Sequence, residues 1–146
     1  DTFPDQPNIH LEHLHNCLQD QSRYSSYDLN DAVLQGNHAQ AIKIFQYLIA
    51  SGEPHSLLLW SLSKEMRLLM QLFEQPQNAL QLGIWKNKVS LYQQALRRLN
   101  PQLFLTWPAL LLRIDAAIKG MSQEDAELLM YQAIMSMCGK TLFPSV

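Results

Sequence analysis

PHSLLLWSLSKEMRLLMQLF, residues 54–73, decides the fold of this chain. Leu59, Leu62, Met66, Leu69 and Phe73 recur at spacings of three and four, which is one stripe of a helix. Leu57, Leu58, Leu68 and Leu72 add a second apolar side, so this helix is expected to be covered from more than one direction. Ser61, Lys64 and Glu65 leave a narrow wet edge. Lys64, Glu65 and Arg67 in its middle exclude a membrane span, where charge is costly. A helix this apolar belongs at the centre of a bundle.

Outward from it, Glu53-Pro54 opens the helix with proline in the first turn, where no donor is lost. Before it, Asn37 caps a helix over 38–51 whose Ala41, Ile44, Phe45, Leu48 and Ile49 face inward, with Gly52 as its stop. So short a turn predicts that the two helices lie side by side. Tyr27–Leu34 makes two further helical turns, with Leu29, Ala32 and Val33 apolar and Gly36 as a left-handed stop. Residues 20–26 are polar and read as a linker. Upstream, Pro4 and Pro7 mark an extended lead-in, and Leu11, Leu14 and Leu18 stripe a short helix.

Downstream, 75–83 reads as a loop, followed by a helix over Ile84–Leu99. Its apolar face is Trp85, Val89, Tyr92, Leu96 and Leu99, and its polar face is Lys86, Ser90, Gln93 and Arg97. Residues 102–119 are helical in pattern through Leu103, Trp107, Leu110, Leu111, Ile114 and Ile118. At Pro108 either that helix kinks, or a turn ends near Leu105 and Thr106 caps a new helix. Ser122-Gln123-Glu124-Asp125 resembles a capping box opening a last helix, with Ala126, Leu129, Met130, Ala133, Ile134 and Met137 inward and Gly139 as its end. No stretch alternates with period two long enough for a strand. The chain reads as all-α.

Composition agrees with a packed domain. Of 146 residues, 47% are hydrophobic and only 16% charged, against roughly 25% charged in ordinary domains. That leaves either a large core or a surface covered by partners. The net charge of −2 hides an acidic front and a basic middle: from Gln75 to Ile114 there is no Asp or Glu, while Lys86, Lys88, Arg97, Arg98 and Arg113 are positive. Cys17 and Cys138 lie far apart and suit reduced thiols in a cytoplasm. No signal peptide or targeting tail is evident, and a start at Asp1-Thr2-Phe3-Pro4 reads as the C-terminal piece of something longer.

His10, His13 and Cys17 stand at helical spacing that a metal would tolerate, but nothing nearby completes four ligands, so a polar helix face is expected and no metal or other cofactor. No phosphate-binding glycine loop, nucleophile motif or acid–base pair is present, and no catalysis is expected. The segment Trp85–Arg98 is the one candidate binding site. Lys86, Lys88, Arg97 and Arg98 suit a phosphate backbone, and Trp85 suits an exposed base. Trp85 is also in register with the apolar stripe, so core and base-stacking both remain open for it.

The order of these elements resembles the C-terminal region of the delta-subunit family of the bacterial DNA polymerase III clamp loader. The matching stretches are Asp31-Ala32-Val33-Leu34-Gln35-Gly36-Asn37, Gln40-Ala41-Ile42-Lys43-Ile44 and Gly52-Glu53-Pro54 leading into Leu57-Leu58-Leu59. Further on come Ile84-Trp85-Lys86-Asn87-Lys88, Ala95-Leu96-Arg97-Arg98-Leu99 and Ala126-Glu127-Leu128-Leu129, so the resemblance covers roughly residues 9–143. It implies that residues 1–22 end an AAA+ lid domain and that 23–146 form a helical collar. The collar would pack against the ATPase and delta-prime subunits in a five-membered ring. It implies that the sliding clamp is gripped by an N-terminal module outside this sequence, and that this fragment catalyses nothing. It also implies an approach of Trp85, Lys86 and Lys88 to template DNA at the primer junction. The turn Gly120-Met121-Ser122 lacks the aromatic that relatives often carry there. The other class of reading is a free-standing helical nucleic-acid-binding domain using 85–98; it should be charged all round, whereas a collar exposes apolar helix edges.

Overall fold

The structure is a computed structural model that describes residues 24–140. Expectations for 1–22, the His10–Cys17 cluster and the lid helix among them, lie outside the described residues. Six α-helices follow in order: α1 (Ser26–Leu34), α2 (His38–Ala50), α3 (His55–Glu74), α4 (Val89–Arg98), α5 (Trp107–Ile118) and α6 (Ala126–Met137). Short 3-10 turns fill Pro76–Asn78, Lys86–Lys88 and Pro101–Leu105, and no strand occurs among the described residues. The architecture is an all-α bundle.

α1 starts earlier than the polar linker suggests. Ser25 and Asp28 form a capping box: Ser25 Oγ accepts from the Tyr27 N–H, and Asp28 Oδ2 accepts from the Ser25 N–H at 2.7 Å. The box expected at Ser122–Asp125 does not form. Glu124 is drawn to Arg113 on α5, and Asp125 alone caps α6, accepting from the Glu127 and Leu128 N–H groups.

α3 is central, meeting α1, α4, α5 and α6. Its covered face is Leu58, Ser61, Leu62, Glu65, Met66, Leu69 and Leu72. The expected wet edge is thereby half corrected: Ser61 and Glu65 are buried and only Lys64 is wet, while Leu57, Trp60 and Phe73 are exposed. Successive positions on a helix turn by about 100°, so Ser61 and Glu65 fall inside the arc of the leucines. α2 and α3 are also not the side-by-side pair that their short connection suggests. α2 lies along α1 and meets α6, because extended Pro54 (ψ 136°) swings the chain away before α3 begins.

At Pro108 the second of the two readings holds. A 3-10 turn ends at Leu105, and α5 starts at Trp107 with Pro108 in its first turn. Thr106 stands at the N-cap, but its hydroxyl donates to the Leu103 carbonyl instead of capping. Trp107 is fully buried, stacked edge-on against Phe104, which in turn meets Phe73.

Candidate nucleic-acid interface

Residues 84–88 are not helical as the periodicity predicts. Ile84 is buried in the core, and Trp85 follows it in extended backbone (φ −65°, ψ 146°). Neighbours in extended backbone point to opposite sides, so burying Ile84 turns Trp85 outward. Trp85 is 75% exposed, which removes the core reading. Lys86–Lys88 then make a single 3-10 turn closed by the Lys88 N–H on the Trp85 carbonyl at 2.8 Å.

Two grooves flank this turn. One, of about 570 Å³, runs between α1, α3 and the turn; Tyr27, Asp31, Lys64, Arg67, Trp85 and Lys88 shape its mouth. The other, of about 510 Å³, is walled by Lys86, Val89, Ser90 and Gln93 on one side and by Pro76, Gln77 and Leu80 on the other. The polar stripe read from the sequence thus forms a groove wall. Arg97, also exposed, continues the stripe towards the far end of α4; at about 1.5 Å per residue it stands roughly 12 Å along the helix from Val89, where α4 begins just after the Lys86 turn.

The five candidate residues do not behave alike. Trp85, Lys86 and Arg97 are exposed. Lys88 is half-exposed and pairs with Asp31 on α1, Nζ to Oδ1 2.8 Å. A pair so close to solvent contributes about 0–1 kcal/mol and leaves Lys88 easily recruited elsewhere. Arg98 is exposed as well, but its guanidinium is engaged within the fold. Its Nε donates to the Cys138 carbonyl at 3.1 Å and its Nη2 to the Leu34 carbonyl at 3.1 Å. Those carbonyls sit at the C-terminal ends of α6 and α1, where helices lack internal donors and concentrate negative charge. Gly36 (φ 74°) leaves the room, since a Cβ there would meet the guanidinium carbon at 2.6 Å.

The larger groove has a floor that the sequence reading missed. Tyr92 on α4 donates its O–H to Glu65 Oε1 at 2.6 Å, and Asn30 on α1 donates Nδ2 to Ser61 Oγ at 2.9 Å and to Glu65 Oε2 at 3.2 Å. The signal was available: positions 61 and 65 sit between the leucines of the covered arc, and Asn30 interrupts the apolar run of α1. Burial pushes the Glu65 carboxyl above the usual carboxylate range, with the Tyr92 hydrogen bond opposing in part, and burial also raises the Tyr92 hydroxyl. The Cys138 thiol, buried likewise, is pushed up to about 11 and is no nucleophile.

A pH dependence follows. Because the folded value of Glu65 is raised, the folded chain keeps a proton that the unfolded chain has released. The stability linked to it is fully present below the unfolded value and is lost as pH rises through the folded one. Glu65→Gln is expected to flatten stability against pH above the ordinary glutamate range, read as urea midpoints between about pH 4 and about pH 8. A variant as pH-dependent as the parent would assign that slope to other groups.

Among the described residues no group of three His, Cys, Asp or Glu side chains is placed to hold a metal, and no helix is long and apolar enough to cross a membrane. The family described as DNA polymerase III delta subunit, C-terminal domain, matches residues 24–137. DNA polymerase III subunit delta of Escherichia coli (strain K12) is 28% identical over 115 residues, 75% of this chain and 34% of that protein. The chain spans about a third of the length of the curated relative it matches. With a family match that runs from just before the capping box of α1 to the last residue of α6, the chain belongs to the family of C-terminal domains of DNA polymerase III delta subunits.

Proposed function

We propose that this chain is the collar of a clamp-loader delta subunit, which assembles with ATPase and delta-prime subunits and lets the Trp85 turn touch template DNA. The observation that carries the assembly reading is on α5 and the turn before it. Leu112 is 71% exposed and Ala109, one turn earlier on α5, is exposed too, while Leu105, 82% exposed, ends the 3-10 turn that leads into the helix, so an apolar surface runs across this corner. Soluble proteins rarely leave such a surface bare, and a neighbouring subunit's helix is the occupant the family suggests. The unevenly charged surface favours this over a free-standing nucleic-acid binder. The reading includes residues 1–22 as the end of a lid domain, a cytoplasmic setting, a clamp held by a separate N-terminal module, and no catalysis by this part. The test is to mix the chain with purified ATPase and delta-prime subunits and follow mass on a sizing column. Co-migration as one defined species is expected; separate elution would overturn the collar reading.

Four features support the DNA contact: the exposed Trp85 ring, Lys86 beside it, Arg97 along the same wall, and the start of α4, where no side chain caps the first N–H groups. Lys88 joins them once released from Asp31, while Arg98 contributes by holding α4 in position. Lys86→Ala combined with Arg97→Ala is expected to weaken primer–template binding several-fold and leave assembly intact. Losing two single-strand phosphate contacts should also flatten the salt dependence by about 1.4 in log K against log salt. An unchanged affinity and salt slope would remove this wall from the DNA path.

A further inference from the structure

The outward face of α3 carries side chains that neither the core nor the Trp85 turn uses. Successive helical positions turn by about 100°, so Leu57, Trp60, Lys64, Arg67 and Gln71 fall on one stripe, opposite the buried arc of Leu58, Leu62 and Leu69. All five are exposed, Trp60 by 60% and Leu57 by 53%. Trp60 is therefore an indole that packing does not need. Lys64 Nζ stands 5.5 Å from the centre of its ring, which holds one face of the indole and leaves the other to solvent.

The positive charge on this stripe is uncompensated. Between Glu53 and Glu74 the one acid is Glu65, and it is turned into the core. Lys64 and Arg67 form no ion pair with a described residue; Arg67 reaches its own helix, Nη1 donating to Ser63 Oγ at 2.9 Å. On α1, Asp31 is taken by Lys88, and Asp28 by the cap of its own helix. Two cations three residues apart, with Cβ atoms about 5–6 Å from each other, suit neighbouring phosphates of one strand. An open aromatic beside them suits a base. Position selects the occupant. Lys64, Arg67 and Gln71 also line the larger groove, together with Trp85 and Lys88. The stripe is thus continuous with the Trp85 turn, and a strand that crosses the groove meets Lys64 and Arg67 before it reaches Trp60.

We propose that single-stranded DNA continues from the Trp85 turn onto the outward face of α3, where Lys64 and Arg67 bind neighbouring phosphates and Trp60 stacks a base. The inference rests on the reading that the Trp85 turn touches DNA, and adds a second, separate contact that lengthens the strand the chain holds. Phosphate contact and stacking read no sequence, so every base is accepted.

Fluorescence anisotropy at several salt concentrations would measure the chain's binding to a labelled thymidine hexadecamer. Trp60→Ala is expected to weaken it about fivefold or more with the salt slope unchanged, as for the loss of one stacked base. Lys64→Gln combined with Arg67→Gln is expected to flatten the slope by about 1.4 in log K against log salt. Circular dichroism confirms that each variant is folded. A second readout is intrinsic. Of the three tryptophans Trp107 is fully buried, so in a Trp85→Phe chain Trp60 is the one exposed indole, and the hexadecamer is expected to quench it. Unchanged affinity and slope in the α3 variants, with Trp60 unquenched and Trp85→Ala still weakened, would take α3 off the strand and leave the Trp85 contact standing. No binding by the parent chain would overturn both. Variants that bind DNA like the parent but no longer co-migrate with the ATPase and delta-prime subunits would overturn the proposal too, and assign the face to a protein partner.

Discussion

Trp107→Ala is expected to cost about 3–5 kcal/mol, the largest single-residue loss in the chain. The ring is fully buried where α5 begins, edge-on to Phe104 with centroids 4.9 Å apart, and Phe104 passes the contact to Phe73 on α3. The indole N–H donates to Ser136 Oγ on α6 at 2.8 Å. One side chain thus joins α3, α5 and α6. Truncation removes the apolar burial and opens a cavity that three separate helices cannot close together. A domain of this size holds roughly 5–15 kcal/mol in all, so urea unfolding should show a large drop in midpoint with an unchanged slope, or no folded state. Trp107→Phe should lose less, because the half-buried Ser136 hydroxyl can turn to water. A Trp107→Ala loss below about 1 kcal/mol would mean that α5 and α6 are not joined through this ring.

Leu62→Ala is expected to cost about 2–5 kcal/mol, and Leu57→Ala, five positions earlier on the same helix, less than about 0.5 kcal/mol. Leu62 is fully buried in the face that α3 turns to its neighbours, whereas Leu57 is 53% exposed. The two residues are chemically identical, and their local helix propensities match. The difference between them therefore reads the orientation of α3 alone. Equal losses would mean that α3 is buried all round.

That contrast marks the limit of what the pattern of leucines could show. Leu57, Leu58 and Leu59 are equivalent as letters, and an apolar arc this wide does not say which part is covered. The covered part is set by α1, α4, α5 and α6, which come from both sides of α3 in the chain. Charged and polar letters mislead in the same way. Glu65 reads as a wet edge, yet the Tyr92 hydroxyl and the Asn30 amide satisfy it inside. A buried carboxyl is tolerable only with such partners, and these lie 27 and 35 residues away.

The Trp85 turn was half legible. The basic cluster and its aromatic stood out, and the choice between core and solvent for Trp85 did not. Helical periodicity assigns the ring to the apolar stripe, but residues 84–88 leave the helix, so the period does not apply to them. Burial of Ile84 decides the matter. Arg98 reads like Arg97 in the sequence, and only the meeting of α1, α4 and α6 converts it from a groove-side cation into a clamp on two helix ends.

The amino-acid sequence by itself determined most of the helices, their stops at the glycines and most of the inward stripes, because those follow from local backbone preference and a fixed period. The tertiary structure decided which arc of α3 is buried, where Trp85 points, what Arg98 holds and that Asn30, Ser61, Glu65 and Tyr92 share one floor. The reason is physical. Period and capping act over a few residues, whereas desolvation and hydrogen-bond pairing are settled only when segments distant in the chain are brought within about 3 Å of each other.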